Sequence, residues 1–235
     1  MPFSELSIPK FVDSTIYGDV LIITKFNWDY EACLDFQKEA QSYIQKNRHL
    51  KIYIFCNHPH IFTLGRGNER GVLGLTEFDE SKTSNLSFPV HKIRRGGGIT
   101  FHYPGQWIFY PIVSINTSYT LEDHMCWLLR SVKEVLIESY GLTEAISAKK
   151  LMGVWLNRKK LASIGVGLNR FVTEHGIALN VLRDKTMFDE LVKINPCGMD
   201  SQTYQAMEEV CEVGEDPIRE FHQHFLNKYL LRKTD

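Results

Sequence analysis

Apolar positions recur along this chain with two different periods. Val20 to Phe26 is rich in β-branched residues, and the stretch after it sets Trp28, Ala32, Phe36, Ala40 and Ile44 at four-residue spacing, which predicts a strand followed by a helix. Lys51 to Phe55 alternates and predicts a second strand. Asn57, His58, Pro59 and His60 then break the pattern with turn chemistry before Ile61 to Leu64. Glu77 to Ser87 is polar and reads as an exposed loop.

The clearest helix starts at Thr120. With Asp123 it forms a capping pair, Leu121, Met125, Leu128, Val132 and Leu136 share one face, and Gly141 suits the C-terminal cap. Three short β-like runs follow, Gly153 to Leu156, Leu161 to Val166 and Gly176 to Val181, separated by polar turns. A last helix opens at Asp216 and Pro217 and carries Ile218, Phe221, Phe225 and Tyr229. Strands and helices in this order, without regular alternation, predict an α+β fold with a largely antiparallel or mixed sheet flanked by helices, not a doubly wound nucleotide fold. With no seam in 235 residues, the expectation is one domain over residues 1–235.

Charge narrows the function. Lysine and arginine total 27 against 28 acidic residues, so the overall balance gives no reason to expect a nucleic-acid binder. The longest apolar runs, such as Val20 to Ile23, are far shorter than a spanning helix needs, and the N-terminus lacks a signal pattern. A cytoplasmic protein without a membrane partner is expected. The five cysteines are odd in number and lack paired metal-ligand spacing, so neither a disulfide framework nor a zinc site is expected.

Two segments stand out chemically. Arg94 and Arg95 precede Gly96, Gly97 and Gly98, then Ile99, Thr100, Phe101 and His102. Three consecutive glycines are costly unless backbone must approach something closely. The segment either presents amides to an acyl carbonyl or phosphate, or makes a tight turn. It is not the nucleotide phosphate loop, because no Gly-Lys-Ser/Thr ending follows. In the second segment, Asn195, Pro196, Cys197 and Gly198 set one cysteine in a loop pinned by proline and glycine. Such a thiol needs a neighbouring cation or base to become a nucleophile, and Lys160, His102 and His175 are the candidates. Cys33, Cys56, Cys126 and Cys211 read as inert core thiols, and His58 and His60 as satisfied turn or strand histidines; no metal is assigned.

Several blocks together resemble the lipoyl(octanoyl) transferase family, within the wider lipoate and biotin protein ligase fold. They are His58 to Arg66, Arg95 to His102, Pro104-Gly105-Gln106, Tyr110-Pro111, Gly153-Val154-Trp155, Lys160 to Gly165, His175 to Asn180, and Asn195 to Gly198. The resemblance implies that Cys197 is the acyl acceptor and Lys160 its partner. It further implies that Arg95, Gly96, Gly97, Gly98, Ile99, Thr100, Phe101 and His102, with Ser163, Ile164, Gly165, Glu174, His175 and Gly176, line the acyl site. Tyr103 and Glu174 depart from the family pattern and reshape the expected pocket.

The implied reaction takes octanoyl from octanoyl-acyl carrier protein to the lysine of lipoyl domains in 2-oxoacid dehydrogenases and of the glycine cleavage H protein, with no cofactor. Basic residues Lys92, Arg94, Arg95, Lys149, Lys150, Arg158 and Lys159 either steer those acidic partners or are ordinary solvated charges. An ATP-dependent lipoate ligase, an octanoyl or lipoyl amidotransferase, a non-catalytic acyl-protein binding module and a cysteine hydrolase are the rival readings.

Overall fold

The computed structural model describes residues 2–69, 80–148, 152–194 and 203–231. In chain order its strands and α-helices are β1 (Asp13–Tyr17), β2 (Val20–Lys25), α1 (Tyr30–Lys46), β3 (Lys51–Cys56), β4 (Ile61–Leu64), β5 (Val90–Lys92), β6 (Ile99–His102), β7 (Gln106–Ile112), α2 (Leu121–Tyr140), β8 (Ile146–Ala148), β9 (Gly153–Leu156), β10 (Lys159–Asn169), β11 (Val172–Asn180), α3 (Lys185–Ile194) and α4 (Pro217–Tyr229). Eight strands form one sheet in the order β1-β2-β3-β7-β11-β10-β9-β8, and β5-β4-β6 form a second, smaller sheet. The large sheet is antiparallel except for β2 and β3, which run parallel because α1 carries the chain back between them. The small sheet is mixed as well, with β5 parallel and β6 antiparallel to β4. The α+β fold with a mixed sheet and flanking helices is therefore as expected.

Each face of the large sheet has its own core. On one side α1 sets Cys33, Phe36, Ala40 and Ile44 against Ile23, Ile52, Ile54 and Ile108. On the other, α2 and α4 set Leu128, Val132 and Phe225 against Phe55, Trp107 and Phe109. A third cluster joins Phe62, Leu64, Ile99 and Phe101 of the small sheet to Met187 and Leu191 of α3.

The helix ends follow their local chemistry. Thr120 and Asp123 make the reciprocal capping box of α2, and Gly141 closes it in the left-handed region at φ 68°; such a cap is worth about 1 kcal/mol. Asp216 caps α4, with Pro217 in its first turn. In α1 the buried stripe differs from the expected one: Ala32 is exposed, and Cys33, Gln37 and Gln41 are buried with Phe36, Ala40 and Ile44. The two glutamines are buried because they bond backbone of β11: Gln37 accepts from the His175 amide at 2.9 Å, and Gln41 donates to the Val172 and Thr173 carbonyls at 3.1 and 3.2 Å. Within the expected loop Glu77 to Ser87, Glu80–Asn85 form a short 3-10 helix. Cys126, expected as an inert core thiol, is exposed, since it falls between the buried positions of α2. No described helix is long and apolar enough to cross a membrane.

Candidate active site

Lys160 enters the interior through a break in the β10–β9 ladder. Lys159 and Lys160 pair with Leu156 and Trp155, but Ala162 and Ser163 pair with Val154 and Gly153, so Leu161 is an extra residue. Such a bulge changes which face the side chains take. Leu161 and Ala162 consequently both join the main core, while Lys160 and Ser163, three residues apart, line the same cavity. Gly153 makes room for the lysine stem, because a Cβ there would lie 2.6 Å from Lys160 Cε and 2.3 Å from the Ala162 carbonyl oxygen. Lys160 is buried, with its Nζ 5.5 Å from the centre of the Trp155 ring, a cation-π arrangement.

The cavity that Lys160 lines encloses about 70 Å³. Ile99, Phe101, Met152, Met187 and Leu191 supply its apolar walls, and Gly97, Gly98, Thr100 and Ser163 its polar rim. Tyr204 also lines it and pairs with Lys160 in a parallel bridge. Cys197, in 195–202, lies outside the described residues. The described chain on both sides of that segment, Leu191 before it and Tyr204 after it, borders this cavity.

Arg95 has a different place from the anion-holding one considered for the glycine-rich segment. Its guanidinium is turned under the loop, where Nη1 donates to the Gly96 and Gly98 carbonyls at 3.0 and 2.9 Å and Nη2 to the carbonyl and hydroxyl of Thr63, both at 2.8 Å. The amides of Gly65, Arg66 and Gly67 are donated in turn to the carbonyls of Gly98, Arg95 and Gly97. Glycine is required at 65 and 67 because a Cβ would meet Gly97 backbone at 2.4 and 2.8 Å. Part of the glycine signal is thus close packing of two backbone segments, with Gly97 at φ 78°.

A second, smaller cavity of about 30 Å³ lies behind Arg95, Thr100, Ser163 and Ile164, which face both spaces. His102, Tyr110, Gly165, His175 and Gly176 line it too, with Ile93, Ile177 and Ala178. His102 Nδ1 meets the Gln106 Oε1 at 2.9 Å; a carbonyl oxygen only accepts, so Nδ1 carries the proton and Nε2 is left as an acceptor. Burial, then the neighbouring His58, holds His102 well below the usual histidine range. Burial, then Arg95, lowers His175 to about 3. Both rings are neutral at physiological pH. His175 sits at φ 59°, and its Nε2 has no hydrogen-bond partner among the described residues; a non-glycine residue in that conformation next to a buried unpaired nitrogen is a pattern met at functional sites. Gly176 follows because a Cβ would strike the Phe109 carbonyl oxygen at 2.1 Å.

Of the residues expected to line the acyl site, Arg95, Thr100, Ser163 and Ile164 face both cavities. Gly97, Gly98, Ile99 and Phe101 face the first with Lys160, and His102, Gly165, His175 and Gly176 face the second. Gly96 and Glu174 are not among the described lining residues of either. The Gly96 amide bonds the Val166 carbonyl, and Glu174 packs against Gly167, its carboxyl pKa raised by burial.

A ladder of amides behind Lys160 was not apparent from the sequence. Gln106 Nε2 donates to Asn180 Oδ1 at 3.0 Å and Asn180 Nδ2 to the Gln205 carbonyl at 3.4 Å. Gln205 then donates its side chain to the Leu156 carbonyl at 3.0 Å and its backbone amide to the Lys160 carbonyl at 3.2 Å. Gln106 and Asn180 stand in the recognised blocks, but no local pattern marks Gln205.

The fold is that of lipoate protein ligases. Solved structures with the same architecture include lipoate-protein ligase A bound with ATP, at 14% identity, covering 91% of this chain and 85% of that one with a TM-score of 0.63. Another is a bi-partite lipoate protein ligase from Thermoplasma acidophilum, at 15% identity, covering 91% and 84% with a TM-score of 0.60. The family model of the lipoyl protein ligase A/B catalytic domain matches residues 29–229, and the chain belongs to that family. Its relatives include a chloroplastic octanoyltransferase of Arabidopsis thaliana, 34% identical over 84% of this chain and 67% of the relative. The octanoyltransferase of Synechococcus elongatus is 37% identical over 76% of each chain, and that of Christiangramia forsetii 33% identical over 83% of each.

Proposed function

We propose that this chain is a single-domain octanoyltransferase that carries the acyl group on Cys197, with Lys160 as its partner base. The observation that carries this reading is the bulge in β10. It places a buried lysine on the wall of an apolar cavity bordered by Leu191 and Tyr204, one before and one after the segment that holds Cys197. Ile99, Met152, Met187 and Leu191 give this cavity walls that favour an apolar acyl tail, each buried methylene adding about 0.8 kcal/mol, and seating a whole octanoyl chain requires these walls to widen.

In the first half-reaction the Cys197 thiolate attacks the octanoyl thioester of the acyl carrier protein; a new carbon-sulfur bond forms, the bond to the phosphopantetheine sulfur breaks, and the Lys160 ammonium protonates that leaving sulfur and becomes a neutral amine. In the second, the acceptor lysine amine attacks that thioester, Lys160 takes the amine proton, and Cys197 leaves as thiolate. The acceptors are lipoyl domains of 2-oxoacid dehydrogenases and the glycine cleavage H protein, and the reaction belongs to the cytoplasm. The Thermoplasma acidophilum neighbour, described together with its E2 lipoyl domain, supports an acceptor of that class.

The test is intact-protein mass after brief mixing with octanoyl-acyl carrier protein without ATP. One octanoyl adduct on wild type and none on Cys197→Ser is the expected result. No adduct, with adenylate formed from free octanoate once ATP is added, would replace this reading with a lipoate ligase.

A further inference from the structure

Behind the second cavity, folding brings one donor from a distant helix up to two that neighbour each other in sequence. Cys33 comes from α1, Cys56 from the end of β3 and His58 from the turn after it. All three are fully buried, and their Sγ, Sγ and ring-nitrogen atoms lie within 4.8 Å of one another. Metal-ligand motifs such as Cys-x-x-Cys cannot reveal this set, because one ligand is supplied by a helix packed across the sheet.

We propose that Cys33, Cys56 and His58 form a structural zinc site, with the Tyr110 hydroxyl in the fourth position.

Three observations support it. The first is distance: Cys56 Sγ lies 3.6 Å and Tyr110 Oη 3.2 Å from His58 Nε2. A tetrahedral zinc ion has S···N edges of about 3.6 Å and N···O edges of about 3.3 Å, so the two edges that meet at His58 Nε2 already have the lengths the ion needs. The second is tautomer. His58 Nδ1 lies 2.7 Å from the Trp28 carbonyl oxygen, which only accepts, so Nδ1 carries the proton and the Nε2 lone pair faces the sulfurs. A ring held by its other nitrogen on a carbonyl is the usual outer support of a metal-bound histidine. Gln37 adds a second such support. Its Oε1 is held by the His175 amide, which turns its Nε2 towards Cys33 Sγ at 3.9 Å.

The third is charge. Two thiolates neutralise one zinc dication, and imidazole and phenol add none, so the assembled site places no net charge in an apolar core, which a monovalent copper ion in the same place would. Binding converts two thiols to thiolates and releases two protons to solvent. Because the donors are sealed, the ion enters during folding and fastens α1 to β3 and β7.

The full chain, unfolded in chelator and reductant and refolded with either zinc or cobalt(II), tests this. About one zinc per chain is expected to survive desalting, as in other sites whose metal is taken up on folding, and the cobalt form should show a thiolate-to-cobalt charge-transfer band. Cys33→Ala and Cys56→Ala should lose both signals, and Cys126→Ser should keep them. Should the two alanine variants fail to fold, wild type against Cys126→Ser and Cys211→Ser still decides, since these two must retain the metal and the band. A refolded wild type that holds less than about a tenth of an equivalent overturns the proposal. So does zinc that persists in Cys33→Ala, or a Cys33–Cys56 disulfide in the isolated protein.

Discussion

Arg95 and Lys160 are two buried cations whose side chains reach the same cavity, and they differ in what surrounds their charge. Arg95 has four hydrogen bonds to Thr63, Gly96 and Gly98, three of them to carbonyl oxygens, and so holds the glycine loop against the segment from Thr63 to Gly67. Lys160 is delivered by a bulge, has its stem accommodated by Gly153 and its ammonium over Trp155, and opens on apolar walls. A buried charge surrounded by backbone carbonyls is architecture. One that opens on an apolar cavity lined by Leu191 and Tyr204 is the candidate for chemistry.

The largest effect should come from Lys160→Met, which keeps volume and removes the ammonium. Acyl transfer should fall by about 10²- to 10⁴-fold, the usual contribution of a positioned acid or base, while thermal unfolding stays near that of wild type. Near-normal turnover would end the distinction. Arg95→Met should do the reverse, costing about 3–5 kcal/mol because the buried carbonyl and hydroxyl acceptors lose their charged donor. Urea unfolding reads this, and a loss under about 1 kcal/mol would mean that the arginine does not hold the loop.

Gln205→Leu should cost about 1–3 kcal/mol by leaving the Leu156 carbonyl without its partner, and should slow acylation by mislaying Lys160. If acylation is unchanged at equal stability loss, the ladder is only structural.

The last effects are titrations, each small per pH unit. His124, His175 and His222 are lowered chiefly by burial, to about 4, 3 and 4. These folded values lie below the ordinary 6.5, so the unfolded chain binds more protons between them. Stability is therefore complete above pH ~6.5 and lost on acidification towards pH ~4, by about 1.4 kcal/mol per unit for each such histidine. Chemical denaturation across that range measures it, and a flat profile would show that the rings are charged in the fold.

How far the sequence can be read depends on range. The α2 box, the Pro217 start of α4 and the β-branched run of β2 are local signals, and each marks its element. β7 gives none, because all seven of its residues are buried, alternation vanishes between two covered faces, and Pro111 argues against a strand. The edge strands β1 and β8 and the helix α3 were not anticipated either. The first two are exposed, so little apolar patterning marks them. In the site, Lys160, Ser163 and His175 were legible as motifs. The inward turn of Arg95, the side position of Glu174 and the ladder through Gln205 were not, since each depends on a partner far along the chain.

The extra residue in β10 also makes the site sensitive to parity. Side chains alternate along a strand, so Lys160 and Ser163, an odd number of positions apart, share a wall only because Leu161 adds one to the count. Many substitutions in this strand change only local packing. Removing a single residue at the bulge would instead send either the lysine or the Ser163 to Gly165 wall to the opposite face. This stretch of chain should therefore diverge by exchange of residues and hardly ever by a change in length.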